Sequence, residues 1–307
     1  MKSIVTVAII GAGPAGIAAA FQLKRYEIEF RIFEKRNIGG LLLNAHRVEN
    51  YPGFPYGISG ISLIKHFQKQ LHLTGIRVDK EEIKEVDYDS GNKCFKLISD
   101  QSVVRCLFLI VASGTIPREL PELSPFLKKS KNIFYEILPL KNCKRKNIAI
   151  IGAGDAAFDY ALNLAAKKNK VMIFNRSNFH KCLSLLFREA KKNPSISYFQ
   201  NYQLKKMEEN RSGLSLTFMC QETEHSFGVD YLLIAIGRDP ALDFLSENLI
   251  LRKNVLIKKR IFHFIGDVHS GFYRQTGIAV GEGIKTAMII YDKLKEKSGN
   301  FINSGQG

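Results

Sequence analysis

The stretch Val5 to Ala20, VTVAIIGAGPAGIAAA, decides the fold: a short apolar strand runs into Gly11, Gly13 and Gly16 and straight on into an Ala-rich helix. Gly11 permits the tight turn, Gly13 lets a pyrophosphate approach the backbone, and Gly16 lets helix and strand pack closely. The helix that starts at Pro14 offers free N–H groups, from Ala15 on, to the phosphates. A lone GxGxxG is a weak signal. It gains weight because Arg31 to Phe33 rebuilds a strand that ends in Glu34, 23 residues after Gly11, where a carboxylate can accept from ribose hydroxyls. The spacing predicts a bound dinucleotide.

The competing reading is a membrane segment or a signal peptide, since Ile4 to Leu23 is 20 residues without a charge. Three glycines and Pro14 interrupt that run, and a strand, turn and helix account for each of them. No second long apolar run exists, so a soluble, cytoplasmic protein with no membrane contact is expected.

Composition bounds the rest. A chain of 307 residues is more comfortable as two domains than as one, and 45% hydrophobic with 24% charged residues is ordinary globular usage. Only the tail, Ser298 to Gly307, reads as low complexity. The five cysteines (Cys94, Cys106, Cys143, Cys182 and Cys220) form no CxxC and no metal-ligand spacing, so they read as core or surface thiols and no metal is expected. Net charge is +16, with basic clusters at Lys128 to Lys131, Lys141 to Lys146, Lys167 to Lys170 and Lys258 to Arg260. An acidic partner fits that balance as well as a plain solvated surface does. Nucleic acid is not expected, because no aromatic residues are interleaved with the clusters.

After Glu34 the chain passes Gly39-Gly40, read as a flexible loop, and VENYPGFPYGISG at Val48 to Gly60, then a helix, Ile61 to Leu73. A polar-apolar meander comes next, with strands near Ile83 to Tyr88, Cys94 to Ile98 and Val103 to Arg105. A fully apolar strand, Cys106 to Ala112, succeeds it, as buried parallel strands are. It stops at Ser113-Gly114. A second fingerprint then opens: Asn147 to Ile151 leads into Gly152, Gly154, Asp155 and Ala156 and a helix, and the next strand ends at Asn175, again 23 residues after its first glycine. A meander from about Tyr198 to Val229 and a strand, Tyr231 to Ile236, end at Gly237.

The order of elements thus occurs twice. It implies an α/β fold of two Rossmann-like, three-layer (ββα) dinucleotide-binding domains, the second inserted in the first. A strand at Ile261 to Ile265, ending in Gly266-Asp267, and a helix, about Gly277 to Leu294, return the chain to the first domain. The expected boundaries are 1–115 with 239–307 and 116–238, with hinges at Gly114 to Arg118 and Gly237 to Pro240.

Two dinucleotide folds imply two cofactors, and FAD with a nicotinamide nucleotide that reduces it is the economical pair. The first site suits FAD: it has Glu34, and Asp267 can accept from the ribityl chain that NAD(P) lacks. The second strand ends in Asn175-Arg176 rather than an acid, which favours the 2′-phosphate of NADPH. Asn175 can also hydrogen-bond an unphosphorylated ribose, which keeps NADH open.

The motifs GAGPAG at Gly11, VENYPGFPYGISG, ASGTIPR at Ala112, GAGDAA at Gly152, AIGRDP at Ala235, GD at Gly266 and YRQ at Tyr273 together resemble the low-molecular-weight thioredoxin reductase-like flavoproteins. The resemblance spans nearly the whole chain. It implies a homodimer with FAD in the discontinuous domain, NADPH in the inserted one, and rotation between them. It adds Gly40, Leu41 (where the family usually has a glutamine), Asn50, Gly114, Tyr135, Gly237, Arg274 and Gln275 to the candidate cofactor-binding residues.

One departure changes the expected chemistry. The redox-active CxxC of thioredoxin reductases falls here on Tyr135 to Leu138, YEIL, 17 residues before Gly152, so both thiols are missing. In this the chain is similar to the dithiol-lacking ferredoxin or flavodoxin NADP reductases, in which an aromatic near Tyr135's position and a C-terminal extension cover the flavin. Its tail offers only Phe301. Gly281-Glu282-Gly283 leans toward that branch, and YRQ toward the thioredoxin reductases.

The leading expectation is an NAD(P)H-dependent flavoprotein reductase whose flavin serves an acidic carrier, ferredoxin or flavodoxin, with no catalytic side chain of its own. The alternatives are a reductase for a thioredoxin-like protein whose disulfide meets the flavin directly, and a non-catalytic redox-sensing module. His46, His263 and His269 read as structural.

Overall fold

The computed structural model describes residues 4–120, 130–211 and 213–303, with side chains described as far as residue 296. Parts of the basic run Lys128 to Lys131 and of the tail Ser298 to Gly307, including the Phe301 side chain, lie outside the described residues. Two compact units divide the chain: Met1–Leu43, Val48–Thr115 and Pro240–Gly307 form the first, and Asn44–Arg47 with Ile116–Asp239 the second.

In the first unit, β1 (Val5–Ile10) enters α1 (Pro14–Arg25) and returns as β2 (Phe30–Phe33); α2 (Gly60–Leu73) leads to β3 (Val78–Asp79). The meander β4 (Glu85–Asp89), β5 (Cys94–Ile98) and β6 (Val103–Val111) completes a sheet ordered β3-β2-β1-β6-β5-β4. β6 is one strand where two were expected. Its first half pairs antiparallel with β5 (Phe95 opposite Cys106) and the rest, from Cys106 on, pairs parallel with β1 (Val5 opposite Cys106), so no turn interrupts Arg105-Cys106. This continuity couples the meander rigidly to the parallel sheet.

The chain crosses between units at β7 (Thr115–Pro117) and returns at β16, a pair of short strands joined in a ribbon. Between them the second unit contains β8 (Ile133–Phe134), β9 (Asn147–Ile151), α3 (Asp155–Ala165), β10 (Lys170–Asn175), α4 (Ser184–Lys192) and β11 (Ile196–Gln200). The hairpins β12 (Gln203–Asn210), β13 (Gly213–Cys220) and β14 (Thr223–Val229) come after these, then β15 (Tyr231–Ile234) and β16 (Arg238–Pro240). Its parallel sheet runs β11-β10-β9-β15-β8, and β12 to β14 form a separate antiparallel layer. Asn44–Arg47, expected within the first domain, groups here because its hydrogen-bond partners do: Leu138 N–H donates to Asn44 Oδ1 (3.2 Å) and His46 N–H to Asp159 Oδ2 (3.1 Å).

The last segment adds α5 (Glu247–Lys258), β17 (Phe262–Phe264) and α6 (Thr276–Asn303) to the first unit, with β17 pairing parallel to β6 (Phe262 opposite Leu109). Neither α4 nor α5 was expected. α5 runs through a stretch whose aliphatic residues stay exposed, Ile250, Leu251 and Val255, so no clean apolar stripe marks it, while α4 is only nine residues long and turns Leu186, Phe187 and Ala190 to the core. α5 does start on a legible signal, Ser246, whose Oγ accepts from Leu249 N–H at 3.1 Å.

Each unit is three layers deep. In the second, Ile148, Ile150, Ile173 and Leu233 pack toward Phe158, Leu164 and Ala190 of α3 and α4. The opposite face of the same sheet buries Phe174 against the antiparallel layer, stacked 4.0 Å from Phe218, with Phe199 of the neighbouring strand β11 stacked on it at 4.9 Å. In the first unit Ile9, Ile32, Phe108 and Ile110 face α1 and α6, while Leu109 and Phe262 on the opposite face pack with Phe95 of the meander and with Leu249 and Leu256 of α5. Burial on both faces of the strands is what their uninterrupted apolar sequences require.

Candidate functional site

The first glycine turn has the geometry its sequence demands. Gly11 has φ of +105°, and a Cβ there would overlap the Ala112 carbonyl; one at Gly16 would overlap the carbonyl of Gly11. Both are backbone obstacles that cannot yield. Gly13 is different: a Cβ there would meet nothing within 4 Å. It caps α1 with Pro14 at the first helical positions, no side-chain cap and no acidic residue in the first turn, so the helix start is open to an anion.

Glu34 sits where β2 ends, and both its oxygens hold main chain: Ala12 N–H donates to Oε2 (2.9 Å) and Arg36 N–H to Oε1 (2.8 Å). The carboxylate is thereby aimed across the glycine turn with lone pairs to spare for a diol. Gly39-Gly40 is a tight turn rather than a flexible loop. Gly39 has φ of +113° and donates its N–H to the Ala12 carbonyl at 2.8 Å, and Gly40 opens the 3-10 turn Gly40–Asn44 that carries Leu41.

Two further loops of the first unit meet: Asn50 Nδ2 donates to Gln275 Oε1 at 2.8 Å. Gln275 also starts α6, its carbonyl accepting from Ala279 N–H at 3.0 Å. Beyond β17, the short 3-10 turn Gly266–Val268 carries Asp267, and Gly266 has φ of +71°. A Cβ at Gly266 would lie 2.9 Å from the Ala15 Cβ, which brings Ala15, the open start of α1 and the Asp267 turn together. Arg274 lies in the loop that joins that turn to α6.

The second glycine turn repeats the first. Gly152 has φ of +127° with the Ala235 carbonyl where a Cβ would be, and Gly154 is open and caps α3, followed by Asp155 and Ala156. Here the first helical turn does hold an acid, Asp155, whose Oδ1 accepts from Leu183 N–H at 2.7 Å. Lys181 N–H donates to the Ala153 carbonyl (2.8 Å) and bridges to Gly154. These bonds fold the loop after β10 over the glycine turn, and that loop carries Arg176 and Lys181, both exposed.

Asn175 has no capacity left for a ribose. Its buried amide donates to the Phe179 carbonyl (2.8 Å) and to Tyr198 Oη (2.9 Å), and its oxygen accepts from Ser177 N–H (3.2 Å) and faces Ser177 Oγ (3.2 Å). All four of its hydrogen-bonding positions are spent inside the unit. It shapes the loop, and the exposed cations Arg176 and Lys181 are what it presents.

At the crossing, Gly114 (φ of +67°) accepts from Ala241 N–H, and Gly237 (φ of +119°) accepts from Arg118 N–H, both at 3.0 Å. Tyr135 packs against the aromatic core of the second unit; its buried Oη has no hydrogen-bond partner among the described residues. Burial, then the charge of Glu119, pushes that hydroxyl up to about 12. Glu136 pairs with Arg238 at 3.2 Å.

All five cysteines are free thiols, and burial pushes Cys94, Cys106 and Cys182 up, Cys182 to about 11. Such thiols are poor nucleophiles. No cluster of metal-ligating side chains occurs among the described residues, and no helix among them is long and apolar enough to cross a membrane.

A profile of the pyridine nucleotide-disulphide oxidoreductases matches residues 5–261. The chain belongs to this family. As a pyridine nucleotide-disulphide oxidoreductase it is an FAD-dependent NAD(P)H oxidoreductase of the thioredoxin reductase type. It is 29% identical to thioredoxin reductase 2 of Arabidopsis thaliana over 94% of this chain and 82% of that one. To the thioredoxin reductase of Borreliella burgdorferi it is 26% identical over 94% and 92%. The Lactococcus lactis thioredoxin reductase structure (FR conformation) superposes with a TM-score of 0.82 at 22% identity, covering 95% of this chain and 99% of that chain. That of T. acidophilum gives 0.79 at 24% identity, covering 93% and 97%.

The residues present fit two dinucleotides: two open glycines, Gly13 and Gly154, each start a helix beneath a glycine whose Cβ the backbone excludes. Sequence reasoning missed the loop contacts Asp155–Leu183 and Lys181–Ala153 and the hydrogen bond that the Gly266 N–H donates to Glu282. The sequence did hold a signal for the last: an acid between two glycines, Gly281 and Gly283, on a helix.

Proposed function

We propose that this chain is an NADPH-dependent flavoprotein reductase that delivers electrons to the disulfide of a thioredoxin-like protein. The balanced reaction is NADPH plus a proton plus a disulfide giving NADP+ and two thiols. Residues 1–115 with 239–307 are assigned to FAD and 116–238 to NADPH. The observation that carries the reading is the pair of glycine turns, one facing a carboxylate with acceptor capacity to spare, Glu34, and the other a loop with two exposed cations and no acid, Arg176 and Lys181. Thioredoxin reductases among the relatives support the acceptor class.

The chemistry that bound FAD supplies is acceptance of a hydride from the nicotinamide and onward transfer of its electrons. The chain's own part is to bind and align. Glu34 holds a ribose diol, Gly13 and Gly154 admit the pyrophosphates, and Arg176 with Lys181 takes the 2′-phosphate. No side chain here is needed to move a proton at the reacting atoms. Tyr135 to Leu138 supplies no thiols for a relay, so bound FAD would supply the electrons to the acceptor disulfide without an enzyme dithiol between them. A homodimer is the proposed assembly, as the resemblance implies.

That missing dithiol also favours a second reading, a one-electron acceptor such as ferredoxin or flavodoxin, to which the relatives lend no support. Anaerobic stopped-flow separates the cases. The expected result is rapid flavin bleaching with NADPH, then recolouring with an oxidised thioredoxin. Recolouring only with ferredoxin or flavodoxin moves the acceptor to the second reading. No bleaching with either nicotinamide makes the protein a sensing module instead.

A further inference from the structure

Three elements of the first unit converge on Ala15. A Cβ at Gly266 would lie 2.9 Å from its Cβ, and one at Gly283 of α6 would overlap its carbonyl oxygen. α6 is therefore seated on α1 at closest approach, one residue from Glu282. Glu282 is held where it reaches the turn before it: the Gly266 N–H donates to Glu282 Oε2 at 2.5 Å. Ser270 Oγ closes the arrangement, 2.9 Å from the Gly266 carbonyl and 3.3 Å from each Glu282 oxygen.

A main-chain N–H on a carboxylate is a charge-assisted hydrogen bond, stronger than the carbonyl contacts that usually close a 3-10 turn. It is needed here because Gly266, at φ of +71°, has left the strand and the turn is only three residues long. We infer that Glu282 is a positioning residue for the flavin: its clamp on Gly266 fixes the turn that carries Asp267 against the start of α1. The inference rests on the assignment of FAD to the first unit. Ser270 is the second leg of the same clamp.

The test is the FAD affinity of the apoprotein, read by quenching of flavin fluorescence, with apoprotein melting and NADP+ affinity measured alongside. Glu282→Ala is expected to weaken FAD by about tenfold, the loss of one hydrogen bond to a charged group, with NADP+ affinity unchanged. Glu282→Gln, whose amide oxygen still accepts from Gly266, is expected to stay within about threefold of the wild type by the same measure. Should Glu282→Ala not fold, Ser270→Ala takes its place, with a weakening of about threefold expected. FAD affinity unchanged in whichever variant folds overturns the inference, as does a drop in apoprotein melting temperature with unaltered FAD affinity. A wild type that takes up no FAD overturns the assignment itself, which a wild type that binds FAD beside an unaffected variant does not.

Discussion

The two units share a strand order and differ in where their fifth strand comes from. In the first the order is β3-β2-β1-β6 with β17 beside β6, and in the second β11-β10-β9-β15-β8. β17 arrives from the end of the chain and β8 from the start of its unit, so the residues just beyond each strand differ. After β17 comes Gly266-Asp267, clamped by Glu282; after β8 comes Tyr135-Glu136, tied to the second unit's core and to Arg238. The ends of the second strands diverge too, Glu34 with acceptor capacity and Asn175 with none. If the two units take the different nucleotides proposed for them, one backbone design serves both by changing what stands at these strand ends.

The comparison breaks hardest at its shared feature. Gly11→Ala and Gly152→Ala each force a Cβ into a carbonyl at positive φ, a strain of about 3 kcal/mol or more that a turn cannot relieve by side-chain movement. Gly11→Ala is expected to purify colourless. Gly152→Ala is expected to retain FAD yet fail to bleach with NADPH. If Gly152→Ala also loses FAD, the two turns are not separate sites.

A smaller effect distinguishes the fifth strands. His263 on β17 is held neutral, its Nε2 3.1 Å from the Arg260 carbonyl, and burial first of all lowers it to about 4. The folded value lies below the unfolded one of about 6.5, so the unfolded chain takes up the proton first and stability falls as pH drops from 6.5 toward 4. The loss reaches about 2 to 3 kcal/mol at the bottom of that window. Urea unfolding monitored at pH 7 and pH 4.5 should show the loss in the wild type and a shallower one in His263→Gln. Equal slopes would mean that β17 contributes nothing to acid sensitivity.

How much of this was legible depends on which constraints are local. The glycine turns were readable because positive φ and a backbone obstacle leave one residue type, and Glu34 because it directly follows the buried pair Ile32-Phe33 that ends its strand. The merged β6 was not, since pairing with β5 and β1 is settled by partners far along the chain. β8 is two residues long and carries no periodicity, so its membership in the sheet could not be inferred. Glu282 stood in view between two glycines, but its target lies 16 residues back and is reached only through the packing of α6 on α1. The same holds for Asn175, readable as a strand end and unreadable as a loop anchor.

The loop after β10 gives the finest test. If its exposed cations read the 2′-phosphate, Arg176→Ala should raise the KM for NADPH about tenfold while NADH is barely touched, the cost of one charged contact to phosphate. Asn175→Ala leaves both cations in place but releases the Phe179 carbonyl, Tyr198 and Ser177, so the loop can no longer present them together. Its expected effect is smaller, about threefold on the same KM and with kcat unchanged, because anchoring a loop affects binding through order rather than contact. An equal rise for NADH in Asn175→Ala would place Asn175 with the shared pyrophosphate turn. The difference between the two units would then reside in Arg176 and Lys181 alone.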